Sequence, residues 1–215
     1  MNTFAKPFAA AALAVSGLIA SAVPGAEMED AASMHMHHHM MMGGTTSQLV
    51  DYKLPQIQLV RDDGEKVVLA DELNDGRPVV MNFIYTTCTT ICPLASRTFA
   101  ELQEMLGNER DTVHMVSISI DPEQDTPAVL AKYADKFGAG KQWRFYTGTV
   151  AASVAAQRAF DVYRGNKMNH NPVTFIRTAL GKPWLRIEGF AKTDELLRGL
   201  RGLDTSKEAR VQASD

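Results

Sequence analysis

Cysteine is scarce in this chain of 215 residues: only Cys88 and Cys92 occur. With no cysteine near the N-terminus, lipid attachment through an N-terminal Cys is excluded. Charge of one sign is also lacking. Lys and Arg number 22 against 25 Asp and Glu, a net charge of -3, which leaves no basic footprint for a nucleic-acid partner. Long hydrophobic runs are missing too, since the apolar stretch Phe8 to Val23 is short of the about 20 residues a membrane span needs. No internal repeat is present. What remains is 45% hydrophobic and 22% charged, ordinary for one mid-sized domain with a real core and an N-terminal addition. The one clear excess is methionine, of which there are 11.

Lys6 precedes an uncharged stretch from Pro7 to Ala26. Ala20-Ser21-Ala22 is an A-x-A cleavage pattern, and Ala26 offers a second one. Residues 1–26 are expected to be a signal peptide, either cleaved or kept as an anchor. The protein then works outside the cytoplasm, in the periplasm or on the outer face of the cytoplasmic membrane, where thiols oxidise. Residues 27–51 read as a flexible leader, with no apolar period and a Gly43-Gly44-Thr45-Thr46-Ser47 segment. Inside it, Met34, His35, Met36, His37, His38, His39, Met40, Met41 and Met42 form an unbroken Met/His run. Thioether and imidazole both ligate copper, so the run is expected to be an auxiliary capture site. A tag would be a plain His run near a terminus instead.

The folded part is expected over 52–203, with a disordered tail at 204–215. Ile57, Leu59, Val67 and Leu69 flank Asp62-Asp63-Gly64 as a hairpin. Val79 to Tyr85 reads as a buried strand, Thr98 to Leu106 as a helix stopped by Gly107, and Val113 to Ile120 as a second strand. Thr126 and Pro127 mark a helix start, and that helix runs to Phe137. A short strand (Trp143 to Tyr146), a helix (Val150 to Val162) and a hairpin (Val173 to Thr178 with Trp184 to Gly189) follow. Thr193 caps a last helix ending near Leu203. Strands alternating with helices imply an α/β fold, a central mixed sheet with helices on both faces and an N-terminal hairpin; βαβ closed by ββα is the thioredoxin arrangement. Trp143, Trp184, Phe83 and Phe99 lie in apolar runs and are expected in the core.

Cys88 and Cys92 sit in Tyr85-Thr86-Thr87-Cys88-Thr89-Thr90-Ile91-Cys92-Pro93, between a buried strand and a helix. On a helix start, residues four apart share a face, with Cβ atoms roughly 5–6 Å apart. That spacing permits a disulfide after modest adjustment, or two sulfurs on one metal ion. A structural staple closing so small a loop would stabilise little. The helix N-terminus favours thiolate, and Pro93 gives up a donor that an early turn does not use. Thioredoxins carry two residues between their cysteines, usually after Trp; here there are three, after Thr87. Peroxiredoxins need Pro and Thr or Ser where this chain has Met81 and Tyr85.

Cys88-Thr89-Thr90-Ile91-Cys92-Pro93 resembles the C-x-x-x-C-P signature of the SCO/SenC family. Asp121-Pro122-Glu123-Gln124-Asp125-Thr126-Pro127 resembles that family's D-P-x-x-D-T-P segment after its second core strand. The resemblance implies a thioredoxin-like copper metallochaperone that delivers copper to, or prepares, the CuA site of cytochrome c oxidase. It also implies a third ligand, a His in the loop before the late strand. Lys167-Met168-Asn169-His170-Asn171-Pro172 occupies that loop and makes His170 the candidate, whereas His114 has no such match. The family commonly has a hydroxyl residue after the His; Asn171 departs from that. Pro172 falls where thioredoxins carry a proline that is often cis.

Two thiolates and an imidazole suit Cu(I) and Cu(II), though zinc accepts the same set. Three readings stand open. The first is a chaperone acting on an oxidase subunit that carries CuA, with other periplasmic copper carriers or thiol reductants as partners. The second is a thiol–disulfide oxidoreductase using redox-active Cys88 and Cys92. The third is a copper-tolerance buffer built on the Met/His run. Asp121 and Asp125 are candidates for groups near the metal, but a helix start already accounts for Asp125 and Thr126.

Overall fold

Among the described residues the elements are, in chain order, β1 (Thr46–Val50), β2 (Gln58–Arg61), β3 (Lys66–Val68), α1 (Leu69–Leu73), β4 (Val79–Ile84), α2 (Ile91–Leu106) and β5 (His114–Ser119). Then come α3 (Pro127–Lys136), β6 (Trp143–Thr147), α4 (Val150–Ala159), β7 (Val173–Arg177), β8 (Trp184–Glu188) and α5 (Thr193–Leu200). Short 3₁₀ turns occupy Gly107–Thr112 and Lys167–Asn169. This is a computed structural model, and it describes residues 44–202. The expected signal peptide, the run from Met34 to Met42 and the expected tail lie outside the described residues.

The strands form one 8-stranded sheet in the order β1-β8-β7-β4-β5-β6-β2-β3. β4 is parallel to β5 and β5 to β6, and the other pairings are antiparallel. Every residue of β4 is buried, because both faces of the sheet are covered. Val80 and Ile84 point to one core with Phe99, Leu102, Trp143 and Leu196; Val79, Met81 and Phe83 point to the other with Phe160, Phe175 and Trp184. Each fully buried side chain of this size contributes about 1.5–3 kcal/mol. This is the thioredoxin-like α/β fold expected from the element order, with all four expected aromatics in the core.

Several boundaries differ from expectation. Thr46–Val50, inside the expected leader, already form a strand, because β1 pairs with β8 from Thr46↔Glu188 to Val50↔Trp184. Its residues are mostly polar and it is an edge strand, held by the backbone ladder, so it leaves no apolar run to read. Leu69 does not continue the hairpin but starts α1, burying Leu69 and Leu73. α2 begins at Ile91, seven positions ahead of the apolar period that announced it, and so includes Cys92. α4 stops at Ala159, ahead of the expected Val162. α5 is preceded by Lys192 at its N-cap and ends at Leu200; the Thr193 hydroxyl instead donates to Glu101. Thr126 does cap α3, accepting from the Val129 N–H. Among the described residues no helix is long and apolar enough to cross a membrane.

Candidate functional site

Topology gathers the predicted residues at one end of the sheet. The cysteine segment leaves the C-terminal end of β4, and the Asp121–Asp125 segment leaves the same end of the parallel neighbour β5. β7 runs antiparallel to β4, with Asn82 opposite Thr174, so the loop before it, carrying His170, returns to that end. The carboxyl ends of parallel strands are where such sheets place their sites. His114 starts β5 and therefore lies at the other end, tied to Tyr146 and Glu72.

Cys88 and Cys92 are both buried free thiols, so the disulfide that the spacing permits is not formed here. The Cys92 N–H donates to Cys88 Sγ at 3.4 Å. The Cys88 thiol is pulled down from its ordinary value to about 4, first by a hydrogen bond from the Cys92 side chain. Burial opposes this, while the Cys92 and Thr90 N–H groups and the Tyr85 hydroxyl add to it. Cys92 moves the opposite way, raised by sharing its proton with Cys88 and by burial. One thiolate beside one thiol is the result, as expected where unpaired N–H groups meet sulfur.

His170 is buried, and its Nε2 stands 3.0 Å from the Phe83 carbonyl oxygen. A carbonyl only accepts, so Nε2 carries the proton and Nδ1 keeps the lone pair. Burial lowers the imidazole pKa, against the raising effects of Phe83 and the Cys88 charge, so the ring is neutral and a competent donor. The three predicted residues converge on one region, but they do not close on a common point. Among the described residues no three His, Cys, Asp or Glu side chains are grouped closely enough to hold a metal ion. Pro172 directly precedes β7 as expected, but no cis peptide occurs among the described residues.

Asp125 does more than start a helix. Fully buried, it accepts from the Thr86 N–H at 3.2 Å and from the hydroxyls of Thr86 and Ser119 at 2.5 and 2.6 Å. Ser119 in turn accepts from the Asp121 N–H, and the Asp121 carboxylate takes the Lys167 ammonium at 2.6 Å. A continuous polar chain thus ties the cysteine loop to the loop of His170. The cue in the sequence was a pair of carboxylates after a core strand, four residues apart, opposite a Thr-rich cysteine loop. A cavity of about 410 Å³ adjoins His170, lined in part by Asp121, Gln157, Arg164 and Lys167.

The SCO1/SenC family pattern matches residues 45–202. The SCO1 protein homolog of Bacillus subtilis is 34% identical over 100 residues, 46% of this chain and 51% of that protein. This chain thus spans about half the length of that relative. Among solved structures, Arabidopsis thaliana ScoI with copper bound superposes with a TM-score of 0.56 at 25% identity, covering 72% of this chain and 96% of that one. BsSco, a member of the Sco family of cytochrome c oxidase assembly proteins with a disulfide switch, gives 0.61 at 24%, covering 73% and 95%. A cysteine pair at the start of α2, a histidine before β7 and a match over nearly the whole described fold agree: the chain belongs to the SCO1/SenC family.

Proposed function

We propose that this protein is an exported copper metallochaperone. In this reading Cys88, Cys92 and His170 take up copper as cargo and pass it to the cytochrome c oxidase subunit that carries the CuA site. The observation that carries the reading is the donor set itself: a thiolate and a thiol at a helix start, and at the same end of the sheet a neutral buried imidazole with its lone pair on Nδ1. Two soft sulfurs with one imidazole suit Cu(I) and accommodate Cu(II). Family membership supports it, as does the copper bound by the Arabidopsis relative. The membership of BsSco in a family of oxidase assembly proteins supports the acceptor.

Uptake of the ion displaces the Cys92 proton to solvent and draws His170 and the sulfurs together. The run from Met34 to Met42 is the proposed auxiliary arm, collecting copper outside the cytoplasm after export by residues 1–26. Deleting residues 34–42 is expected to slow capture while leaving the stoichiometry of the cysteine site unchanged.

The asymmetry of the two thiols favours a second reading, a thiol–disulfide reductase. Cys88 thiolate would attack a target disulfide, breaking its S–S bond and forming a mixed disulfide. Cys92 would then attack Cys88, releasing a target dithiol and leaving Cys88–Cys92 oxidised by two electrons.

Copper binding by the reduced full chain without residues 34–42 separates the readings. One Cu(I) per chain is expected, lost in Cys88→Ser/Cys92→Ser and weakened by about 100-fold or more in His170→Ala. Equal binding by His170→Ala with intact disulfide exchange would favour the reductase. No binding at the cysteines in any form would leave the thiol–disulfide enzyme as the leading account, with the Met/His run as a separate copper buffer.

A further inference from the structure

Met168 stands out beside the site. It is 72% exposed, the most exposed large apolar side chain among the described residues, yet its turn is firmly built. Asn166 Oδ1 accepts the Met168 N–H at 2.9 Å, and the preceding Lys167 is held by Asp121 and lies over the Tyr85 ring. The backbone is pinned while the thioether faces solvent. Its sulfur is not idle: the Tyr85 hydroxyl points at Met168 Sδ from 3.8 Å. Tyr85 also belongs to the cysteine loop, where its carbonyl oxygen accepts the Cys88 N–H at 3.2 Å. One tyrosine therefore touches the exposed thioether with its hydroxyl and the cysteine loop with its backbone, and His170 follows Met168 two residues further on.

We propose that Met168 is the port of the site, an exposed thioether that binds Cu(I) transiently as it passes between solvent-side donors and Cys88. The proposal rests on the copper-chaperone reading. A buried cysteine pair gives an incoming carrier little sulfur to meet, whereas a single neutral thioether binds Cu(I) weakly enough to release it. In uptake, the donor's Cu–S bond breaks as Cu–Sδ forms at Met168. That bond then breaks as Cu–Sγ forms at Cys88. Copper stays Cu(I) throughout, and the only proton released is that of Cys92, to solvent.

The test uses the full chain lacking residues 34–42, with ¹³C-methyl methionine and anaerobic Cu(I). The Met168 methyl resonance is identified by its loss in Met168→Leu, a change that keeps apolar bulk at an exposed position. In Cys88→Ser/Cys92→Ser, which has nowhere to pass the ion, Cu(I) is expected to shift that resonance. With both cysteines present, Met168→Leu is expected to reach the same final copper content about tenfold more slowly. A silent methyl with unchanged uptake, while the cysteines still fill, would overturn the port and leave the chaperone reading standing. Slow uptake with a silent methyl would assign Met168 an apolar docking contact, which also overturns it. If the cysteines never fill, the chaperone reading fails, and the port with it.

Discussion

At the scale of single residues, Cys88 and Cys92 diverge because one proton serves two sulfurs. The hydrogen bond from Cys92 and the N–H groups of Thr90 and Cys92 stabilise charge on Cys88, and the same sharing keeps Cys92 protonated. Thiolate is the reactive form. Alkylation at Cys88 is therefore expected to proceed at a nearly constant rate from pH 8 down to pH 5 and to fall only as the pH approaches about 4. Cys92 should stay unmodified until Cys88 is blocked. The sign for stability follows: the folded pKa of Cys88 lies below the unfolded one, so its contribution is complete above the unfolded value and is lost as pH falls through the folded one. Mass-spectrometric mapping of iodoacetamide products against pH checks the order; a Cys88 profile rising near pH 9 would contradict it. Both cysteines could be recognised from spacing alone, but their inequality could not, because it depends on where α2 begins.

Among the elements, the loops after β4 and β5 act as a unit. Asp125 takes three donors from Thr86 and Ser119 and anchors the cysteine loop from the adjacent strand end. Asp125→Ala leaves those donors buried and unmatched, and is expected to cost about 2–3 kcal/mol in urea unfolding. The same change should raise the pH at which Cys88 reacts, since its loop loses its anchor; Thr126→Ala, which removes only a helix cap, should cost about 1 kcal/mol and leave that pH unchanged. α5 shows how closely elements meet. A Cβ on Gly199 would come within 2.7 Å of Ile176 Cδ1, so a larger residue there would make the Ile176 side chain shift where this helix lies against β7. Thr126-Pro127 marked α3 correctly because a cap is a local signal. The apolar period marked α2 only from Thr98, because Thr-Thr-Ile-Cys has none, and Pro93 signalled an early turn without fixing its first residue; Cys92 in that turn is buried in the same core cluster as Tyr133 and Ile84.

For the whole molecule, a ligand that binds only the folded state raises stability by mass action. At free Cu(I) about 1,000 times its dissociation constant, the gain is about 4 kcal/mol, which for a domain of this size is a rise of roughly 10 °C in Tm. Calorimetry of the reduced chain lacking residues 34–42 should show that rise, and Cys88→Ser/Cys92→Ser should show none. Much of this protein was determined by local sequence. Buried strands, capped helices, the cysteine spacing and the loop of His170 each depend on residues near one another in the chain. Tertiary structure alone decided the rest. β1 exists because β8 offers a ladder, not because its own residues are apolar. Asp125 reaches Thr86 only because β4 and β5 are parallel and end together. Met168 meets Tyr85 only because β7 runs back beside β4. Such contacts join residues far apart in sequence, where no period, cap or spacing records the pairing.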